Sequence, residues 1–214
     1  MTPLSPLHAI VDVALSARAG WAPADLARAF MEGGAQCMQI RAKDLPSDRF
    51  LDLCDTIVGV AHPYGAVVIV NDRPDLALMS RAAGVHVGQE DLPPAQVRGL
   101  LGPSAVIGFS THTDEQIERA AGEPVSYIAI GPVFGTRTKE TGYNAVGLAQ
   151  VTQAARRSKG VPVVAIGGIT LETAASVWAA GASSVAVISD LLEGGDPTAR
   201  VRAYLRTAAA VTRI

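Results

Sequence analysis

The stretch AVVIVNDRPDLALMSRAAGVHVGQED, residues 66–91, decides the fold. It opens on an unbroken apolar run, Ala66–Val70, rich in Val and Ile and without polar alternation. Such a run reads as a strand of a parallel sheet covered by helices. Polar Asn71, Asp72 and Arg73 follow at once, and Pro74 then opens a helical stretch to Arg81, proline being at home in a first turn. A second apolar run, Gly84–Val87, leads into Gly88, Gln89, Glu90 and Asp91. Strand, helix and strand in this order form the parallel crossover unit.

Outward from this unit the same alternation fills the chain. Leu7–Val11, Cys37–Arg41, Val106–Phe109, Tyr127–Gly131, Val163–Ile166 and Ser184–Ile188 read as further strands. Between them, a helix over Pro23–Glu32 is stopped by Gly33 and Gly34, and Ser47 is expected to cap a helix through Ala61. Pro94–Leu101, Asp114–Ala121, Gly147–Ser158, Leu171–Ala180 and Pro197–Ala209 complete the helices, the last with Asp196 as its expected cap. Eight strand–helix pairs in 214 residues leave roughly 27 residues per pair, compact but within the range of a (β/α)8 barrel. A doubly wound sheet should carry Gly-x-Gly-x-x-Gly in its first turn, and that motif is absent. The expectation is α/β, a single (β/α)8 TIM barrel over residues 1–214.

Composition narrows the function. With 49% hydrophobic residues the chain is not disordered, and a net charge of −2 argues against a broad nucleic-acid footprint. Aromatic residues, at 5%, are too few for base-stacking platforms. Cys37 and Cys54 have neither metal nor redox spacing and read as small core hydrophobes in a reducing compartment. The longest apolar runs are of strand length and the N-terminus has no export pattern. A cytoplasmic protein acting on small molecules is expected, without nucleic-acid or membrane partners; a homo-oligomer stays open.

In such a barrel chemistry sits on the loops after the strands, and unusual polar residues collect there. Gln39, Arg41 and Lys43 alternate along the second strand and so point to one side. An amide, a guanidinium and an ammonium in one array suit a phosphate or diphosphate. Asp72 and Asp91, at the mouths of adjacent strands, are candidates to share one divalent cation; Mg2+ favours one or two carboxylates with phosphate oxygens and water. Asp72 as a helix cap and Asp91 as turn chemistry are the alternatives. Ser110 and His112, two residues apart, make no nucleophile–base pair, so Ser110 reads as a hydrogen-bond donor. His86 reads as a satisfied barrel histidine and His62 as exposed. Gly131–Asn144 is the longest loop, with hydroxyls and cations at Thr136, Arg137, Thr138 and Lys139. Gly167, Gly168 and Ser189 lie in the loops after strands seven and eight, which commonly hold a phosphate in this fold. Two anion sites and a metal, with no nucleophile or redox centre, point to a diphosphate leaving group.

These motifs resemble the thiamine-phosphate synthase family: QIRAKD at 39–44, NDR at 71–73, GVHVGQED at 84–91, GFSTH at 108–112, YIAIGPVF at 127–134, TRTK at 136–139 and AIGGI at 165–169. The resemblance implies an enzyme joining a hydroxymethylpyrimidine diphosphate to a thiazole phosphate, releasing diphosphate by a dissociative route. It implies that Gln39, Ile40, Arg41, Ala42, Lys43, Asn71, Ser110 and Lys139 hold the pyrimidine diphosphate, with Lys139, Ser110 and Arg41 as the catalytic set. Asp72 and Asp91 would bind Mg2+, and Thr136, Arg137, Thr138, Gly168, Ile188 and Ser189 the thiazole phosphate. Ala83, Ser126 and Ser183 stand where the family usually has Asp, Ala42 where it has Glu, and Asp190 where it has a small residue. An inward Asp190 carboxylate would repel the phosphate. A thiazole tautomerase, to which the opening LHAI at 7–10 and His112 are similar, and a phosphate-ligand sensor are the rival readings.

Overall fold

The computed structural model describes residues 4–135 and 144–211. Its strands are β1 (Leu7–Asp12), β2 (Cys37–Arg41), β3 (Val67–Asn71), β4 (Gly84–Val87), β5 (Val106–Thr111), β6 (Tyr127–Ile130), β7 (Val163–Ile166) and β8 (Ser184–Val187). They pair in parallel and in chain order, and β8 returns to β1 to close the barrel. The helices are α1 (Val13–Arg18), α2 (Pro23–Glu32), α3 (Ser47–Ala61), α4 (Pro74–Met79), α5 (Pro94–Leu101), α6 (Asp114–Ala120), α7 (Gly147–Arg157), α8 (Leu171–Ala179) and α9 (Pro197–Val211).

The unbroken apolar strands have a two-sided burial behind them. Residues at alternate positions, such as Met38, Ile40, Val68, Val70, Val85 and Val87, pack with the helices in the larger core. The intervening positions, Ile10, Cys37, Ile69, Tyr127, Ala129, Val164 and Ala186, form a second cluster inside the barrel. Both cysteines are buried thiols, as expected of core hydrophobes. Above the inner cluster the inward positions of β2 to β5 turn polar, while Ile166 and Ile188 keep the side of β7 and β8 apolar.

Several boundaries differ from the sequence reading for local reasons. Ser47 does not cap α3: Pro46 holds the cap position in extended backbone, and no side chain bonds the first turn. Asp196, by contrast, accepts a hydrogen bond from the Ala199 N–H at 2.9 Å, as a cap does. β5 runs on through Ser110 and Thr111, which keep the register with Ala129 and Ile130 although neither is apolar. α1 is too short to show a helical period, and Asp12 starts it by accepting from the Leu15 N–H at 3.0 Å. After β8 a 3-10 segment spans Ser189–Gly195.

Candidate active site

The C-terminal ends of the strands surround a pocket to which β2, β3, β4 and β5 contribute Gln39, Arg41, Asn71, His86 and Ser110. Strand alternation brings Gln39 and Arg41 to the same side, as their spacing predicts. Ile40, between them, is fully buried in the core under the helices, so only its main chain faces the site. Ala42 likewise packs against that outer core. Arg41 is anchored by Asp12, with which it forms an ion pair. Its buried Nε has no hydrogen-bond partner among the described residues, and the side chain lines the pocket.

Lys43 stands past the end of β2, which closes at Arg41, and unlike Gln39 and Arg41 it does not line this pocket. Its Nζ donates to Asp72 Oδ2 at 2.6 Å. Asp72 has a φ of 63°, in the left-handed region that few side chains besides Asp and Asn tolerate. This turn follows β3 directly and brings the carboxylate against Lys43 and Asp91. The cap position of α4 belongs to Arg73, so Asp72 is not the helix cap. Asp91 accepts from the Gly88 N–H at 2.7 Å and lies against Asp72. Burial raises the Asp91 pKa and the Asp72 charge adds to it. Asp72 is held below the usual range: burial opposes this, but the bond to Lys43 and that ammonium's charge prevail. Two adjacent carboxylates, one reluctant to ionise beside the other, form a donor set that a hard divalent cation fits. No cluster of three or more metal-binding side chains occurs among the described residues.

His86 is satisfied inside the barrel, with Nδ1 3.0 Å from the Tyr127 hydroxyl and Nε2 2.9 Å from Ser110 Oγ. His112 lines the same pocket, its Nδ1 donating to the Gly131 carbonyl at 2.5 Å. Gln89 steadies β5 by donating to the Ser110 carbonyl at 2.6 Å. His8 closes the floor, edge-on to Tyr127 with ring centroids 5.0 Å apart.

A second pocket opens beside the first, lined by Gly168, Ile188 and Ser189, with Ile166, Gly167, Ala186 and Ile188 common to both. Gly168 has a φ of +66°, and a Cβ there would stand 2.6 Å from the Gly135 carbonyl oxygen. Tight packing of the β6 and β7 loops demands this glycine and brings the main chain to the pocket edge. Asp190 does not stand bare toward it. Its carboxylate accepts from Arg200 Nη2 at 2.8 Å, the Tyr204 hydroxyl at 2.6 Å and the Leu171 N–H at 3.1 Å. The expected repulsion of a phosphate is therefore offset by a cation and two further donors that α8 and α9 supply. Thr136, Arg137, Thr138 and Lys139 lie outside the described residues.

Asp12, Tyr127, Arg200 and Tyr204 escaped the sequence reading. Asp12 was within reach, since His8, Ile10 and Asp12 share the two-residue spacing that selected Gln39, Arg41 and Lys43. Tyr204 and Arg200 sit on the last helix, and nothing local ties them to β8.

A parallel barrel whose strand ends carry polar and cationic side chains, a carboxylate pair nearby and a glycine-edged second pocket is a TIM barrel with its candidate site at the usual C-terminal face. The sequence model of the family described as thiamine monophosphate synthase matches residues 7–191. A thiamine-phosphate synthase from Roseiflexus castenholzii is 42% identical over 185 residues, covering 86% of this chain and 81% of the relative. A second, from Moorella thermoacetica, is 39% identical over 178 residues, covering 83% of this chain and 84% of the relative. The solved structure of thiamine phosphate pyrophosphorylase from Pyrococcus furiosus superposes with a TM-score of 0.86 at 29% identity, covering 96% of each chain. The chain belongs to the thiamine monophosphate synthase family.

Proposed function

We infer that this barrel carries out its family's reaction, a transfer that joins a pyrimidine diphosphate to a thiazole phosphate and yields thiamine phosphate and diphosphate. The observation that carries the site assignment is the convergence of Arg41, Asn71 and Ser110 on one pocket beside Asp72 and Asp91. Arg41, Lys43, Asn71 and Ser110 hold the diphosphate, with Lys139 from the strand-six loop. Gln39, which lines the same pocket, holds the pyrimidine diphosphate with them. Gly168, Ile188 and Ser189, with Thr136, Arg137 and Thr138, hold the thiazole phosphate. Asp72 and Asp91 would hold Mg2+, which when bound neutralises charge on a leaving diphosphate.

A dissociative route fits the side chains at hand. Burial pushes both the Cys37 and Cys54 thiols up to about 12, so neither is a thiolate near neutral pH. Ser110 contacts a histidine, but that histidine's other nitrogen meets a phenol rather than an orienting carboxylate. No covalent relay is assembled there. The residues instead bind and orient the diphosphate so that the departing charge meets fixed cations, and they keep the two substrates in one mouth. A cytoplasmic location accords with this chemistry; among the described residues no helix is long and apolar enough to cross a membrane.

The test is turnover with both substrates, with and without Mg2+, on the parent and Asp72→Ala. Mg2+-dependent production of thiamine phosphate and diphosphate that collapses in the variant is the expected result. Absence of product in the parent while a thiazole phosphate still binds would overturn the reading and turn attention to tautomerisation through His112.

A further inference from the structure

Tyr127, His86 and Ser110 form a continuous hydrogen-bonded chain from the barrel interior to the mouth. The Tyr127 hydroxyl is 3.0 Å from His86 Nδ1, and His86 Nε2 is 2.9 Å from Ser110 Oγ. Tyr127 is 1% exposed and His86 9%, so water does not complete either bond from the bulk. A neutral imidazole has one N–H, and therefore the sense of the bond at Nδ1 fixes the sense at Nε2.

The buried end sets that sense. A fully buried hydroxyl proton must find an acceptor. His86 Nδ1, 3.0 Å away, is the ring acceptor that the structure sets against that proton. Burial holds the phenol well above its ordinary pKa, so its proton stays on. The Gln39 side-chain amide also meets this hydroxyl, and with its N–H turned to the phenol oxygen it leaves the phenol proton for Nδ1. With Nδ1 accepting, the imidazole proton is on Nε2 and is given to Ser110 Oγ. Ser110 then accepts from His86, and its own proton turns to the pocket that Arg41 and Asn71 also line.

We propose that Tyr127 and His86 are positioning residues that lock Ser110 as a hydrogen-bond donor to an anionic oxygen. This rests on the reading of the pocket as a diphosphate site and adds how its serine is oriented. In the opposite sense Ser110 would give its proton to His86 and meet the anion with lone pairs, which repels it. The geometry protects the chosen arrangement. A Cβ at Gly108 would stand 2.1 Å from Tyr127 Cζ and 2.4 Å from His86 Nδ1, so only glycine lets the two rings meet. The two rings stack with centroids 5.6 Å apart and 17° between their planes.

The test has two arms on the full chain. Nitrogen-15 chemical shifts of His86, assigned by loss of its signals in His86→Gln, report the tautomer with inorganic diphosphate added as probe. A neutral ring protonated at Nε2 is expected; protonation at Nδ1, or at both nitrogens, would overturn the proposal. The second arm follows thiamine phosphate formation. Tyr127→Phe, which keeps the ring and removes the hydroxyl, should lower kcat/KM about tenfold, the scale of a hydrogen bond to a charged group. Tyr127→Phe with Ser110→Ala should be no worse than Ser110→Ala alone, because both act through one hydroxyl. Multiplying defects would mean that Tyr127 acts only on packing and would overturn the proposal. If the parent makes no thiamine phosphate, the functional reading fails, and the tautomer with inorganic diphosphate still decides the orientation of Ser110.

Discussion

Asp12 and Arg41 stand opposite each other at the ends of β1 and β2 and form an ion pair at the barrel mouth. One carboxylate oxygen takes the guanidinium and the other takes the Leu15 N–H. A single side chain thus begins α1 and holds the arginine that lines the pocket.

These two duties separate by substitution. Asp12→Asn keeps an acceptor for the Leu15 N–H but removes the charge that pairs with largely buried Arg41, so it should destabilise by about 1–3 kcal/mol. Asp12→Ala loses the cap as well and should cost about 1 kcal/mol more in urea unfolding. Both should lower kcat/KM for the pyrimidine diphosphate about tenfold, since Arg41 loses its anchor in each.

The carboxylate pair predicts a metal requirement that depends on both members. Asp72→Asn and Asp91→Asn should each reduce turnover by about 100-fold, the size of losing one electrostatic group at the developing charge. Chelation with EDTA should abolish turnover and added Mg2+ should restore it. Turnover independent of Mg2+ in either variant would contradict a shared site.

His8 gives a pH dependence of stability. Burial, with a smaller contribution from nearby His86, lowers its pKa from the ordinary 6.5 to about 3. The unfolded chain therefore binds a proton that the folded chain refuses between these values. Its contribution is fully present above pH 6.5 and is lost as the pH falls toward 3, at no more than about 1.4 kcal/mol per pH unit. Urea unfolding between pH 4 and 7 should show this slope, and His8→Phe should flatten it.

Two glycine-to-alanine changes should act with opposite sign. Gly108→Ala drives a methyl into Tyr127 and His86 and should destabilise by about 2 kcal/mol or more. Gly99→Ala, in α5 with nothing within 4 Å of the added methyl, should stabilise by about 0.5–1 kcal/mol through helix propensity. Calorimetry on the two variants reads both directions.

The barrel was legible because its strands are apolar on both faces and its polar residues start where the strands end. The β3–α4–β4 unit shows this: Asn71 and Asp72 follow Val70 without a spacer. What stayed hidden is long-range. That Asp190 is paired with Arg200 and bonded by Tyr204 depends on how α9 packs near β8, and no spacing in the chain encodes it. Ser110 read as a donor from its position, but the phenol and imidazole behind it come from β6 and β4, which only barrel closure brings together. The Ser47 cap failed on a local detail, because Pro46 supplies the extended turn and the helix starts one residue earlier than a serine cap requires.

The seam between β1 and β8 bears on how the chain folds in time. The two strands lie at opposite ends of the sequence, so the loop their pairing closes is nearly as long as the chain. A nascent chain lacking β8 leaves two parallel strand edges unpaired and the inner cluster without Ala186. Such a chain offers sites for sticking to its neighbours, and the last strand of the barrel removes both edges at once.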